Sequence, residues 1–315
     1  KKNSQSYVYQ NTSLSSGDKN SYKTKEFAPR VIFPISSTDI YPGLVNHVGS
    51  PEKFYLGSIV LNIANEIQFS RRLILSTEIA YKLADNFDER SSFSDSPYLP
   101  NVRTDILLYL QNSDFYLPRF ELDYIWSPKK DIYAKIGGGI FETMYGGFGG
   151  EILFTPFEKN YAIGAEIYKV KQRDYDQRFK FKNYETETGH INFFYYLDSL
   201  DVIAKFSYGR YLARDSGWTF DMSKRSKSGF RAGFYFSLTS ASSIEFGEGS
   251  FDKGFYIQIP FNLLQKKYTA ANGNFRLSPL TRDGGAKLNQ GMQLDGFIFD
   301  SRFNDLFRNK NDFYN

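Results

Sequence analysis

Along most of the chain, apolar and polar residues alternate with a period of two, in segments of roughly ten residues separated by Gly, Asn, Asp, Ser and Pro clusters. Between Arg119 and Trp126, the residues Phe120, Leu122, Tyr124 and Trp126 fall on one face, and Arg119, Glu121 and Asp123 fall on the other. The same split sets Leu73, Leu75, Thr77, Ile79 and Tyr81 against Glu78 and Lys82, and Tyr161, Ile163, Ala165 and Ile167 against Glu166. Downstream, Val202, Ala204, Phe206 and Tyr208 oppose Asp201, Lys205 and Ser207, and Trp218, Phe220 and Met222 oppose Thr219 and Asp221. Phe230, Ala232, Phe234 and Phe236 then oppose Arg231 and Ser237, and Phe255, Ile257 and Ile259 oppose Gln258. Such a succession, with little convincing helix between segments, predicts an all-β antiparallel meander.

A soluble sandwich alternates in the same way, so alternation alone does not choose between a sandwich and a membrane barrel. Three details favour the barrel. Aromatic residues cap the apolar face at segment ends, as at Tyr124 and Trp126 or Tyr208 and Tyr211, where an interfacial girdle would lie. The polar face carries both signs of charge, which suits a wet or salt-bridged lumen. So many consecutive strands also favour closure, because closure removes exposed edges. The expected fold is therefore an antiparallel transmembrane β-barrel of about 12 to 14 strands.

Composition adds boundaries to this picture. Of 315 residues, 24 are Tyr, 31 Phe and 2 Trp, an 18% aromatic share rich in strand formers. Mean hydropathy is −0.46, and no apolar run reaches the roughly 18 residues of a membrane helix. The 39 Lys and Arg against 35 Asp and Glu are too even for a nucleic-acid reader. Zero cysteines exclude disulfides, a thiolate nucleophile, a thiolate zinc site and an acylated cysteine within these residues. The expected division is a polar, flexible arm over 1–26, the barrel over 27–261, and an irregular tail over 262–315. The tail, where Phe303, Leu306 and Phe307 suggest one short helix, reads as a lumen plug, a periplasmic extension or a loose terminus.

Candidate chemistry is sparse. The glycine clusters Gly137–Gly139, Gly146–Gly150 and Gly247–Gly254 lack phosphate-loop context, and curved strands or close backbone approach explain them better. His47 and His190 are isolated, so no metal site and no cofactor is indicated. The one hydrolase arrangement available would use His190 with Asp201 or Asp221, and no serine stands out as its nucleophile. The loop Gln172–Arg178 mixes carboxylates, arginines and an aromatic ring, a set that suits sugar contact and equally a solvated loop.

Taken together, several stretches are more specific. Leu99–Asp105, Phe141–Glu151, Gln172–Gln177, Thr188–His190, Gly209–Gly217, Phe246–Gly254 and Ser278–Gly285 resemble the YjbH/GfcD family of exopolysaccharide and capsule biosynthesis proteins, in the family's order. The resemblance runs from roughly Tyr55 to Leu288. Asp215-Ser216-Gly217, where the family more often has Asp-Trp-Gly, and the tail after Leu288 depart from it. Family members tend to be longer, and this chain resembles their C-terminal half. The resemblance implies a barrel in the outer membrane of a Gram-negative bacterium, taking part in polysaccharide assembly or export. It implies periplasmic proteins or lipoproteins of the same pathway as partners, beside the polysaccharide and outer-membrane lipids, with no nucleic acid. It carries no catalytic residues.

The expected function is thus that of a non-enzymatic scaffold or conduit that contacts polysaccharide, with a general porin or an outer-membrane hydrolase as the competing readings. Candidate contact or lumen-network residues are Arg103, Asp105, Arg119, Arg173, Asp174, Tyr175, Asp176, Arg210, Glu248, Arg282 and Asp283. Either they exchange hydrogen bonds with sugar hydroxyls and carboxylates, or they fix turns and packing only.

Overall fold

The structure is a computed structural model describing residues 31–48, 53–89, 98–156, 159–197, 199–226, 229–246, 251–260, 272–278 and 283–297. Thirteen strands form one sheet in which every neighbour in sequence is the neighbour in space, and all pairs are antiparallel. They are β1 (Ile35–Val48), β2 (Tyr55–Gln68), β3 (Leu73–Asp85), β4 (Phe115–Lys129), β5 (Ile132–Ile140), β6 (Tyr145–Phe154) and β7 (Tyr161–Arg173). The sheet continues with β8 (Phe181–Leu197), β9 (Val202–Arg210), β10 (Ser216–Arg225), β11 (Arg231–Thr239), β12 (Asp252–Pro260) and β13 (Asn272–Leu277). This is the expected transmembrane-barrel architecture, with 13 strands where about 12 to 14 were anticipated. A sandwich would have divided the strands between two sheets.

The faces are sorted oppositely to those of a soluble sheet. Phe120, Leu122, Ile163, Ile167, Ile191, Phe193, Tyr208 and Trp218 are exposed on the outside, while Glu121, Asp123, Lys135, Asn192, Ser207 and Thr219 are buried on the inside. Apolar side chains outward and hydrogen-bonding side chains inward are the arrangement hydrocarbon requires of a spanning sheet. Near one end the outer face carries a chain of rings: Tyr208 meets Trp218 at 4.8 Å, and Phe220 meets Phe206 at 5.5 Å and Phe236 at 5.0 Å between centroids.

The connections differ between the two ends. Those at 69–72, 130–131 and 198–201 are tight, and they share what we call the turn end with the start of β1. The opposite, loop end holds the long β3–β4 connection, with helix α1 (Ile106–Asn112) and the turns 141–144, 174–180 and 211–215. Leu107 and Leu110 of α1 pack on Leu56 and Phe87, and Tyr109 joins Phe141, Tyr145, Tyr168 and Leu212 in a second apolar cluster. The loop end therefore has a core of its own.

The sheet continues past residue 261 into β13, inside the stretch expected as tail. The proposed arm at 1–26 and the Phe303, Leu306, Phe307 helix lie outside the described residues.

Candidate functional site

Residues 283–297 leave the loop end and run through the interior of the sheet as a strap. Asp283 anchors the start. Its Oδ1 accepts the backbone N–H groups of Val102, Arg103 and Thr104 at 2.8, 2.7 and 3.1 Å, and its Oδ2 accepts the Thr104 hydroxyl at 2.9 Å. Successive amides converging on one point form an anion-binding nest, and here the protein supplies the anion from its own chain. Gly285 follows at φ +75°, a left-handed conformation with a Ser237 carbon 3.0 Å from where a Cβ would stand, so the turn into the lumen needs glycine. Its N–H donates to Asp215 Oδ2 at 2.8 Å, and the Leu212 N–H donates to the Ala286 carbonyl at 3.0 Å. Burial pushes the Asp283 carboxyl above the ordinary aspartate range against the pull of these hydrogen bonds, and burial does the same to Asp215.

Deeper in, the strap is held by charged side chains of the wall. The Gly291 N–H donates to Glu121 Oε2 at 2.9 Å, the Lys135 ammonium donates to the Met292 carbonyl, and the Leu294 N–H donates to Glu151 Oε2 at 2.9 Å. Lys205 and Asp295 close the series at 2.6 Å near the turn end. Lys135 lies 3.0 Å from Glu151, 3.6 Å from Asp123 and 3.7 Å from Glu121, with both Glu121 and Asp123 fully buried. Its ammonium fills the centre of three carboxylates, the place a cation would otherwise take, and Tyr168 donates its hydroxyl to Glu151 at 2.9 Å.

The structure divides the sequence-derived candidates. Arg103 belongs to the strap anchor, donating to Glu142 at 2.9 Å and to the Lys287 carbonyl at 2.6 Å. Arg119 reaches Glu121 at 3.5 Å beside Gly291. Arg173 is completely buried, and its donors go to carbonyls, of Glu142 at 2.9 Å, Thr143 at 3.1 Å, Arg178 at 3.0 Å and Gln177, so it staples the loop end together. Asp174 and Asp176 accept the backbone N–H groups of Tyr175 and Arg178 within their own turn. Tyr175 donates to Asp105 at 2.9 Å and carries the Lys182 ammonium 3.9 Å above its ring. Arg210 is exposed at the loop end of β9, and Glu248 and Arg282 lie outside the described residues.

The hydrolase arrangement is not the one formed. His190 Nδ1 meets Glu166 at 3.1 Å, its ring lies edge-on to Tyr211 at 4.8 Å, and the pair is not made with Asp201 or Asp221. Parity explains this, because Glu166 and His190 are direct partners in the β7–β8 ladder and both point inward. Sequence reading missed Lys135, Glu142, Glu151 and Asp215; for Lys135 and Glu151 the signal available was inward parity on the adjacent strands β5 and β6, visible only once the register is known, whereas Glu142 and Asp215 lie in loop-end turns that carry no such signal.

A family model for "exopolysaccharide biosynthesis protein YbjH" matches residues 2–298. The chain belongs to the YjbH family. The "Uncharacterized lipoprotein YjbH" of Escherichia coli (strain K12) is 35% identical over 273 residues, which is 84% of this chain and 39% of that protein. The chain thus spans about two fifths of the length of this YjbH relative. Among solved structures, Salmonella typhi OmpF in complex with daunomycin is 11% identical, covers 80% of this chain and 94% of its own, and has a TM-score of 0.39. A loop L8 deletion mutant of OmpT, an outer membrane protein of Vibrio cholerae, is 11% identical, covers 71% and 87%, and has a TM-score of 0.33. Of the stretches that resemble the YjbH family, Thr188–His190 lies within β8 and Phe141–Glu151 runs from the loop end down β6, while the others have their described residues at or next to the loop end; Asp283, Asp215 and Arg103 among them hold the strap.

Proposed function

We propose that this chain is the membrane-embedded barrel of an exopolysaccharide biosynthesis system in the outer membrane of a Gram-negative bacterium, serving as a plugged scaffold and not as an open pore. The observation that carries this reading is the strap, whose backbone and side chains are bonded to the inner wall from Asp283 to Asp295. A lumen committed to internal hydrogen bonds leaves the loop end as the place for polysaccharide. There Asp174, Tyr175, Asp176 and Arg210 are half-buried or exposed and offer a ring face, carboxylates and a guanidinium to sugar hydroxyls and uronate groups. Arg103, Arg173 and Asp283 shape that surface from below, and periplasmic proteins or lipoproteins of the same pathway fit as partners. No catalytic step is assigned to any residue.

Planar-bilayer conductance tests the scaffold against the porin. The intact protein is expected to be silent, and a variant lacking residues 283–297 is expected to pass steady current. Large steady currents from the intact protein would favour the porin and remove the scaffold reading. Export of polymer with Arg210→Ala or Tyr175→Ala, in barrels whose heat-modifiable migration is unchanged, tests the loop-end contact.

A further inference from the structure

The two ends of the sheet are its least satisfied feature. β1 pairs only with β2 and β13 only with β12 in the sheet, and no β1–β13 ladder is present among the described residues. Strand direction follows from the meander. Odd-numbered strands run from the turn end to the loop end, so β1 and β13 point the same way. A strand edge facing hydrocarbon leaves N–H and C=O groups with no water to bind, at several kcal/mol for each group. The outer faces flanking the seam are apolar, with Ile40 and Leu44 on β1 and Phe275 and Leu277 on β13 all exposed, so the seam lies at lipid depth.

We infer that this seam takes one further strand of the same polypeptide, supplied from beyond residues 1–315 and running antiparallel to both edges. A strand running from the loop end to the turn end pairs in the favoured antiparallel mode with β1 on one side and β13 on the other, bringing 13 strands to an even 14. A second copy of the chain cannot do this, because rotation about an axis along the membrane normal preserves strand direction and offers only parallel edges. Residues 1–26 have scarcely an aliphatic residue and lack the alternation a lipid-facing strand needs. The strap reaches the turn end by Asp295, which meets Lys205 close to the start of β9, so a strand starting from there would also be parallel. The E. coli relative, with most of its length outside the matched region, shows that such additional polypeptide exists in the family.

The test is photocross-linking in the full-length protein, in membranes, with p-benzoylphenylalanine placed singly at Ile40, Leu44, Phe275 or Leu277 and the cross-linked peptides identified by mass spectrometry. Ile163, in mid-sheet, serves as the control that must report its β6 and β8 neighbours. Only variants with heat-modifiable migration are scored, and four positions leave alternatives if one fails to fold. Positions on β1 and β13 are expected to capture the same peptide, from outside these 315 residues. Capture of β13 from β1, capture of a second copy, or capture of lipid alone would each overturn the inference.

Discussion

The wall from β4 to β9 and the edge strand β1 share one alternating pattern yet reach opposite states. In β8, Thr186, Thr188, His190, Asn192, Phe194 and Tyr196 are buried on the inside, while Glu187, Ile191, Phe193 and Tyr195 are exposed on the outside. In β1, Ile40 and Leu44 are 66% and 68% exposed on the outside, and Tyr41 on the inside is still 40% exposed. The difference is the strap, which bonds to the inner faces of β4, β5, β6 and β9 and packs Leu294 in one apolar cluster with Phe194 of β8. Alternation tells a strand which side is which. Burial of the inner side depends on something lying against it.

Substitutions in the two regions should therefore separate by size. The largest effect is expected for Lys135→Met, which leaves Glu121, Asp123 and Glu151 without their central cation. A loss of about 3–5 kcal/mol in urea unfolding of the detergent-refolded protein is expected, as for other broken buried ion networks. If that cost is no larger than for an edge-strand substitution, the contrast between the regions fails.

Next comes Asp283→Ala, which frees three converging amides and a hydroxyl; a loss of about 2–3 kcal/mol is expected, together with faster proteolysis within residues 283–297. Gly149→Ala should cost about 1–3 kcal/mol, because a Cβ there would lie 2.2 Å from the Ile167 carbonyl oxygen and 2.4 Å from the Tyr168 ring. Circular dichroism melts of the two variants, run side by side, rank strap anchoring against wall packing.

A subtler test uses pH. Because burial raises the Asp283 carboxyl in the folded protein, the folded state binds more protons than the unfolded state between the unfolded and folded pKa values. The stability it contributes is present in acid and lost as pH rises through the folded pKa. Asp283→Asn should flatten that slope, and a slope identical in both proteins would assign the pH dependence elsewhere. The smallest effect is expected for Leu44→Ala on the outer face of β1, within about 0.5 kcal/mol, since no packed cavity is opened.

Much of the fold is legible in the sequence. Parity places Phe120, Leu122 and Tyr124 on one face and Glu121 and Asp123 on the other, and their exposures sort that way, the apolar set outward and the acids inward. The glycine clusters point to curved strands or close backbone approach, and a Cβ at Gly147 would stand 2.1 Å from the Lys169 carbonyl oxygen. Helix α1 was not anticipated, although Ile106, Leu107, Tyr109 and Leu110 have helical spacing, because a single two-turn segment is weak beside a dozen strands. The site was less legible. Arg103 and Asp283 were singled out together, but nothing local reveals that a carboxylate 180 residues away fills the amide nest at Arg103.

The division between local and long-range information has a physical basis. Period-two alternation and turn residues are properties of neighbours along the chain and suffice for an antiparallel all-β meander; aromatic caps, a polar face of both signs and the number of strands then favour a barrel with an apolar exterior and a charged interior. Which charges meet depends on strand register and on the path of residues 283–297 through the lumen, both set by long-range packing. For that reason His190 faces Glu166 and not Asp201, Lys135 sits among three carboxylates, and Arg173 binds carbonyls instead of acids; only the folded barrel could decide these pairings.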